Sequence, residues 1–445
     1  MFDFNLEFER VEDTSSYAFV GIYKNQQGKT VFRVPKGLNI ARYQTFADKR
    51  DLFFRLYRVL RKFSHVLGQN TIQAKDDRVS NQNIYSAECS HTIELGDGQH
   101  EDVTYYNHFH FLEKLLDTYD ELKIFNLAAK ERPLNHIAQY HRIHLYLDRA
   151  IFLEEDDKIY TFVDQMHLPA PQIVFSETDL ITMYCYLVIE IKQQITPNEK
   201  VHPDVDVLAH AFKEKYLTPD ESLFAETTWR STLQTLKECL EHIKRFTVYK
   251  SPDFWEFYDA IELFLYGKFG TKNEEGYLWG LNNFAFVWEA MCLTHSIKNT
   301  PEKIRYLDTQ CIEQTILPNK KLLDSNIFRF TRLSLKKEIE TTELILKAKT
   351  LRPDLVLEEN IKWVICDIKY YTFDELKNTQ KQNEHVAKAI RKQYVYEYLL
   401  QEHLGNNIQI ESEFWLPSEE EHIEYFGPLK LVYKSIDQMI DEYSR

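Results

Sequence analysis

Residues 351–371, LRPDLVLEENIKWVICDIKYY, constrain the fold of this chain more than any other stretch. In a strand, residues two apart share a face. The run from Lys362 therefore sets Trp363, Ile365, Asp367, Lys369 and Tyr371 on one side and Val364, Cys366 and Ile368 on the other. The upstream PDLVL reads as a second strand, with Glu358, Glu359 and Asn360 as the hairpin connection. A turn centred near Glu359 sets Asp354 across from Ile365, beside Asp367 and on its face. An ionised group taken out of water is costly unless a partner or a metal compensates it, so such a cluster is either an ion pair or a site.

Two carboxylates a few ångströms apart repel, and each raises the pKa of the other unless a cation sits between them. Magnesium suits the pair, because it takes oxygen ligands and usually binds through one or two carboxylates plus a substrate phosphate. Lys369 is then placed to orient or deprotonate a water and to offset the charge that builds on a phosphate under in-line attack. Hydrolysis of a phosphodiester follows as the chemistry. The rival is an Asp367–Lys369 ion pair at a sheet edge. The D-x-K triplet alone does not separate the two, but a proline and an aspartate opening the preceding strand favour the site.

Charge narrows the partners. The net charge of −15 counts against a nucleic-acid ligand for the chain as a whole. Residues 319–400, however, hold 16 lysines and arginines against 12 acidic residues, a local +4 that leaves −19 for the remainder. This asymmetry suits a local DNA channel together with an acidic surface facing a protein. With 445 residues, 44% hydrophobic and 14% aromatic, the chain is long enough for two or three domains with sizeable cores. The opening MFDFNLEFERVEDTSS lacks the basic flank and apolar core of a signal peptide, and no long apolar run suggests a membrane span, so the expected location is the cytoplasm. Cys89, Cys185, Cys239, Cys292, Cys311 and Cys366 form no CxxC pair and read as reduced packing residues.

Along the chain, YAFVGIYK and KTVFRVPKG flank NQQG and read as a β-hairpin. The string QQGKT only imitates a phosphate-binding loop, since Tyr23 stands where GxxxxGK[ST] requires glycine. Helical spacing marks residues 46–67 and 108–129, and residues 68–107 between them look loop-like. Strand character returns in LYLDRAIF and IYTFVD. SETDLITMYCYLVIEIKQQ reads as a helix behind a Ser-x-x-Asp cap, with further helices near 222–247 and 253–267. The polar, glycine-bearing residues 267–283 are the expected boundary, dividing an α+β region of 1–266 from a domain of 267–445. His91, His108 and His110 lie near Cys89 but lack the second ligand pair of a tetrahedral site.

The pattern Pro353-Asp354, with Asp367 thirteen positions on and then Lys369, resembles the PD-(D/E)xK nuclease superfamily. More specific are FAFVWEAMC upstream and KAIRKQYVYEYLL downstream, which look like the McrC-type nucleases and most of all the LlaJI restriction endonuclease family. The N-terminal FVGIYKNQQGKTVFRVPKG also resembles the opening of LlaJI-type chains. The resemblance implies a restriction-endonuclease-like α/β fold, a mixed sheet flanked by helices, preceded by the α+β N-terminal region. It implies that Asp354 and Asp367 hold magnesium with the carbonyl of Ile368, and that Glu289 on the preceding helix helps to hold metal or water. Glu289 has little support from periodicity, since it lies off the stripe of Phe284, Val287 and Met291. Gln393 and Tyr394 match the KQY segment near the site, and Lys388, Arg391 and Lys392 are placed to reach phosphates; Val386, Ile390 and Tyr394 also form a packing stripe.

The function so implied is a magnesium-dependent DNA endonuclease subunit of a McrBC/LlaJI-type restriction system. Its partner would be a McrB-like AAA+ GTPase, which agrees with the lack of a phosphate-binding loop here, and residues 1–266 would dock it. Two alternatives stay open. Residues 1–266 could instead read DNA directly, through segments such as KDDRVSNQNIY, in a self-sufficient enzyme. The nuclease-like domain could also serve a non-catalytic stimulatory subunit.

Overall fold

The computed structural model describes residues 4, 6–10, 19–25, 28–76, 92–95, 103–107, 110–129, 150–155, 158–162, 177–197, 199–247, 250–266, 277–309, 312–318, 322–323, 327, 352–359, 362–372, 376, 384–405 and 408–444. The chain divides into two compact units, Met1–Phe2 with Phe109–Lys268, and Asp3–His108 with Phe269–Arg445. Residues 3–108 group with the C-terminal part. The reason is a strand, Tyr277–Leu281, inside the segment expected to be a linker.

In the discontinuous unit, numbering elements along the whole chain, β1 (Glu7–Arg10), β2 (Val20–Lys24), β3 (Thr30–Val34), β4 (Thr92–Leu95), β5 (Val103–Asn107) and β8 (Tyr277–Leu281) form a sheet of order β1-β3-β2-β8-β5-β4. β2 and β3 form the expected hairpin, so QQGKT is its turn. β4 and β5 lie within 68–107, where a loop was expected: their four and five residues sit among Asp, Asn and Gln, too short to register as alternation. Two glycines let β2 and β8 approach. Gly21 pairs with Gly280, and a Cβ on Gly21 would lie 2.0 Å from the carbonyl oxygen of Trp279. Trp279 is fully buried among Phe32, Phe53 and Tyr57, the last two from α1 (Phe46–Asp76).

The second sheet of this unit is β13-β14-β12-β11-β10-β9. Its strands are β9 (Ile304–Leu307), β10 (Leu355–Glu359), β11 (Lys362–Ile368), β12 (Gln409–Ser418), β13 (His422–Phe426) and β14 (Leu429–Ser435). Helix α8 (Ala285–Asn299) precedes β9, and α10 (Ile436–Ser444) closes the chain. β11 and β12 run parallel, which requires a crossover, and α9 (Glu384–Leu404) supplies it. One face of the sheet packs on α9 in two clusters: Phe414, Leu416, Leu431 and Tyr433 around Ala389, and Tyr306, Val356 and Ile365 around Tyr396 and Leu400. Burying a side chain such as Ile365 contributes about 1.5–3 kcal/mol, which makes this face the anchor of the sheet.

The helical unit contains α2 (His110–Asp117), α3 (Glu121–Ala129), α4 (Glu177–Ile195), α5 (Pro203–Tyr216), α6 (Trp229–Phe246), α7 (Pro252–Tyr266) and the hairpin β6–β7 (Ile151–Glu155, Lys158–Phe162). Eight successive α4 residues, 181–188, are buried, as expected of a helix apolar on every side. Its Tyr184 hydroxyl donates to the carbonyl of Leu115 at 2.7 Å. The expected helix over 108–129 is two helices, broken at 118–120. α5 went unanticipated because its apolar residues are sparse: Val205, Ala209 and Phe212 are its buried positions. Cys185, Cys239, Cys292 and Cys366 are free and buried, while Cys89 and Cys311 lie outside the described residues. So do His91, His108 and the side chain of His110. No described helix is long and apolar enough to cross a membrane.

Candidate active site

The register of β10 on β11 pairs Glu359 with Lys362 and Leu355 with Cys366, so Ile365 faces Val356. The expected pairing of Asp354 with Ile365 is therefore off by two residues. Both Glu358 and Glu359 belong to the strand, and the turn is tighter than the sequence implied. Because the slip is two, it preserves the face. Extending the ladder by one residue sets Asp354 directly opposite Asp367, closer than expected. Trp363 and Ile365 pack toward α9, as the alternation required of the face that carries Asp367.

The polar groups gather at the end of these strands. Asp354 Oδ2 accepts a hydrogen bond from the backbone N–H of Ile368 at 2.6 Å. Lys369 Nζ lies 2.8 Å from Asp367 Oδ2, and the Asp367 side chain is only 3% exposed against 21% for Lys369. Beyond this ion pair the buried Oδ2 has no hydrogen-bond partner. The backbone N–H of Lys369 donates to the carbonyl of Trp415 on β12, which fixes where its side chain starts. Tyr370 follows. Its ring lies against Phe284 at the start of α8, and its hydroxyl accepts from the backbone N–H of Lys36, in the turn after β3. The N-terminal sheet thus braces the residue next to the lysine.

Glu289 on α8 joins the group. Burial, then the charge of Asp308, raises its pKa to about 7, with Lys369 opposing and Asp367 adding a little. Periodicity could not have assigned it, and only the resemblance pointed to it. Burial, then Asp367 and Glu289, holds Asp354 well above the usual carboxylate range. Burial works to lower Lys369, but Asp367 and Asp354 outweigh it and keep the ammonium charged beyond the ordinary lysine range. The assembly is short of positive charge: several acids share one lysine. That deficit is the condition under which a divalent cation is stabilising, since it replaces the proton that the carboxylates otherwise retain. Among the described residues, no three carboxylates, histidines or cysteines are close enough to enclose a metal ion by themselves. The donors present therefore suit an ion held by two carboxylates and completed by water and substrate oxygens.

Asp308, one residue past β9, escaped the sequence analysis. Its backbone N–H donates to the carbonyl of Asp354 at 2.9 Å. Its only sequence signal is an acid at the end of IRYL, 46 positions before Asp354. Gln393 does reach the strand but from beneath. It is 2% exposed, and its amide donates to the carbonyl of Ile365 at 2.9 Å, leaving Oε1 buried without a partner. Of the expected α9 packing stripe, Ile390 packs partly buried on the sheet cluster, the side chain of Val386 lies outside the described residues, and Tyr394 departs from it. Ala389, Gln393, Tyr396 and Leu400 are buried, and Tyr394 is 48% exposed beside the exposed Arg391 and Lys392. The side chain of Lys388 lies outside the described residues.

Residues 319–443 match the family of the LlaJI restriction endonuclease. The match spans Asp354, Asp367, Lys369 and α9, and it supports a restriction nuclease acting on DNA. It begins after Glu289 and Asp308, which join the site through the fold alone. No curated protein matches the chain.

Proposed function

We propose that this chain is the magnesium-dependent endonuclease subunit of a McrBC/LlaJI-type restriction system, cutting foreign DNA in the cytoplasm with a separate AAA+ GTPase as partner. The carrying observation is the excess of acid over base where β10 and β11 end: Asp354 and Asp367 face each other with Glu289 nearby and Lys369 as the compensating cation. Asp354 and Asp367, with the carbonyl of Ile368 and with Glu289 supporting, are the residues that would hold Mg2+. When bound, the ion supplies a Lewis acid for the phosphodiester and an activated water.

The chain's own residues do the rest. Lys369, kept protonated by its two aspartates, serves as a fixed positive charge beside the scissile phosphate rather than as a base. Gln393 ties α9 to the strand two residues before Asp367 and so acts as a positioning residue. Arg391, Lys392 and Tyr394 present charge and an aromatic ring to the DNA backbone, with Lys388 one turn earlier on the same helix. The GTPase partner is supported by the absence of GxxxxGK[ST] from the sequence and by the strongly acidic remainder of the chain, which suits a protein partner better than DNA.

Cleavage of supercoiled plasmid tests the reading. Wild type, Asp354→Ala and Asp367→Ala are compared with Mg2+ or EDTA, with and without the candidate GTPase and GTP. Cutting that requires Mg2+, both aspartates and the second protein is expected. Cutting by either alanine variant at the wild-type rate sinks the assignment, and nucleotide-independent cutting by the single chain removes the partner.

A further inference from the structure

The site's sheet carries two parallel rows on one face. In the first, Tyr306, Val356 and Ile365 are cross-strand partners on β9, β10 and β11 and pack together against α9. Two residues along every strand, on the same face by the strand period, stand Asp308, Asp354 and Asp367. The pairings Leu355 with Leu307 and Leu355 with Cys366 extend by one residue to this second row, and the bond from Asp308 N–H to the Asp354 carbonyl marks its outer step. An apolar row thus gives way at once to three adjacent carboxylates, although like charges directly opposite one another destabilise a sheet. A second observation points to a ligand there: Asp367 Oδ2, inside the row, is buried and has no hydrogen-bond partner beyond its ion pair with Lys369. The charge of Asp308 also reaches Glu289, which faces the row from α8.

We propose that Asp308 is a positioning residue of the cation site, a carboxylate that acts through water to orient the hydration shell of the ion held by Asp354 and Asp367. This deepens the nuclease reading and rests on it. Direct ligation does not fit, since no three acids among the described residues close on one point. The backbone bond between Asp308 and Asp354 makes the two residues neighbours across the strands, and the charge of Asp308 acts on Glu289, which itself acts on Asp354. Magnesium keeps several waters and needs their geometry fixed, and outer-shell carboxylates do that for bound metals.

The experiment measures Mg2+ binding to the free chain by calorimetry and the Mg2+ dependence of plasmid cleavage, for wild type, Asp308→Asn, Asp308→Glu and Asp354→Ala. Asp308→Asn should weaken Mg2+ binding and raise the half-saturating Mg2+ concentration about tenfold, the usual effect of an outer-shell partner, while cleavage at saturating Mg2+ returns to within about threefold of wild type. Asp308→Glu should recover part of the binding. Melting temperatures in EDTA identify a merely structural role, because the proposal expects Asp308→Asn to melt no lower than wild type once a like charge is gone. Binding by Asp308→Asn equal to wild type, with Asp354→Ala defective, overturns the inference and leaves the nuclease reading intact, as does a lower melting temperature with an unchanged Mg2+ profile. Absence of Mg2+ binding and of Mg2+-dependent cutting in the wild type overturns both.

Discussion

The two six-stranded sheets of the discontinuous unit each carry a charged group, and the groups differ in stoichiometry. On the first sheet Arg33 gives two hydrogen bonds to Glu9 Oε2, at 3.0 and 3.1 Å, and another to the Tyr23 hydroxyl, which itself donates to Glu9. One acid meets one base, bridged by a tyrosine hydroxyl. On the second sheet Glu289, Asp354 and Asp367 share Lys369, and Asp308 adds its charge at Glu289. A closed count marks a structural ion pair. An open count leaves buried acids with raised pKa values, as at Glu289 and Asp354.

The largest test of this contrast removes the lone base of the open group. Lys369→Met should lower plasmid cleavage by at least about 10²-fold, through loss of fixed transition-state charge. It should also destabilise the cation-free chain by about 3 kcal/mol in urea unfolding, because Asp367 is left buried and unpaired. Unchanged stability would mean that the aspartate was already protonated and the lysine idle.

A smaller effect comes from the proton on Glu289. With its pKa raised from 4.5 to about 7, the folded cation-free chain holds a proton that the unfolded chain releases. Stability therefore falls as pH rises through 4.5 to 7. Glu289→Gln should flatten that slope and leave the variant about 2 kcal/mol better off than wild type at pH 8 in EDTA. Parallel wild-type and variant curves between pH 4.5 and 8 would break the claim that this acid belongs to the open group.

The smallest effect is expected at the closed group. Arg33→Gln should cost about 1 kcal/mol or less, since the Arg33 and Glu9 side chains are 21% and 34% exposed and partly solvated pairs contribute little. A cost above that of Lys369→Met would reverse the comparison.

The same contrast explains what could be read from the residues alone. The hairpin of β10 and β11 was legible because β11 carries the strand-forming run Trp363, Val364, Ile365 and Cys366 and a proline-aspartate opens its partner. Its exact register was not, since moving the centre of the turn by one residue shifts every pair by two. β8 was hidden: LWGL lies in a glycine-bearing polar stretch, and the close pairing that Gly280 makes possible leaves no signature in composition. The phase of α9 was unreadable because apolar and aromatic residues surround it on every side, so burial passed to Tyr396 rather than Tyr394. Asp308 needed tertiary structure and Glu289 needed the family resemblance, for neither shares a local pattern with the hairpin it adjoins.

The central place of β8 has an outcome for how such a chain can be rebuilt. Asn107, the last residue of β5, pairs with Trp279 on β8, so the long helical segment leaves and re-enters its host at two touching strands. In topological terms the 109–268 stretch is cargo spliced into a hairpin bend. A turn of a few residues would close that bend at a smaller loop entropy than the present crossing. The unit with the two six-stranded sheets should thus tolerate exchange or excision of its passenger, while trimming of the first hundred residues would pull strands from its own frame.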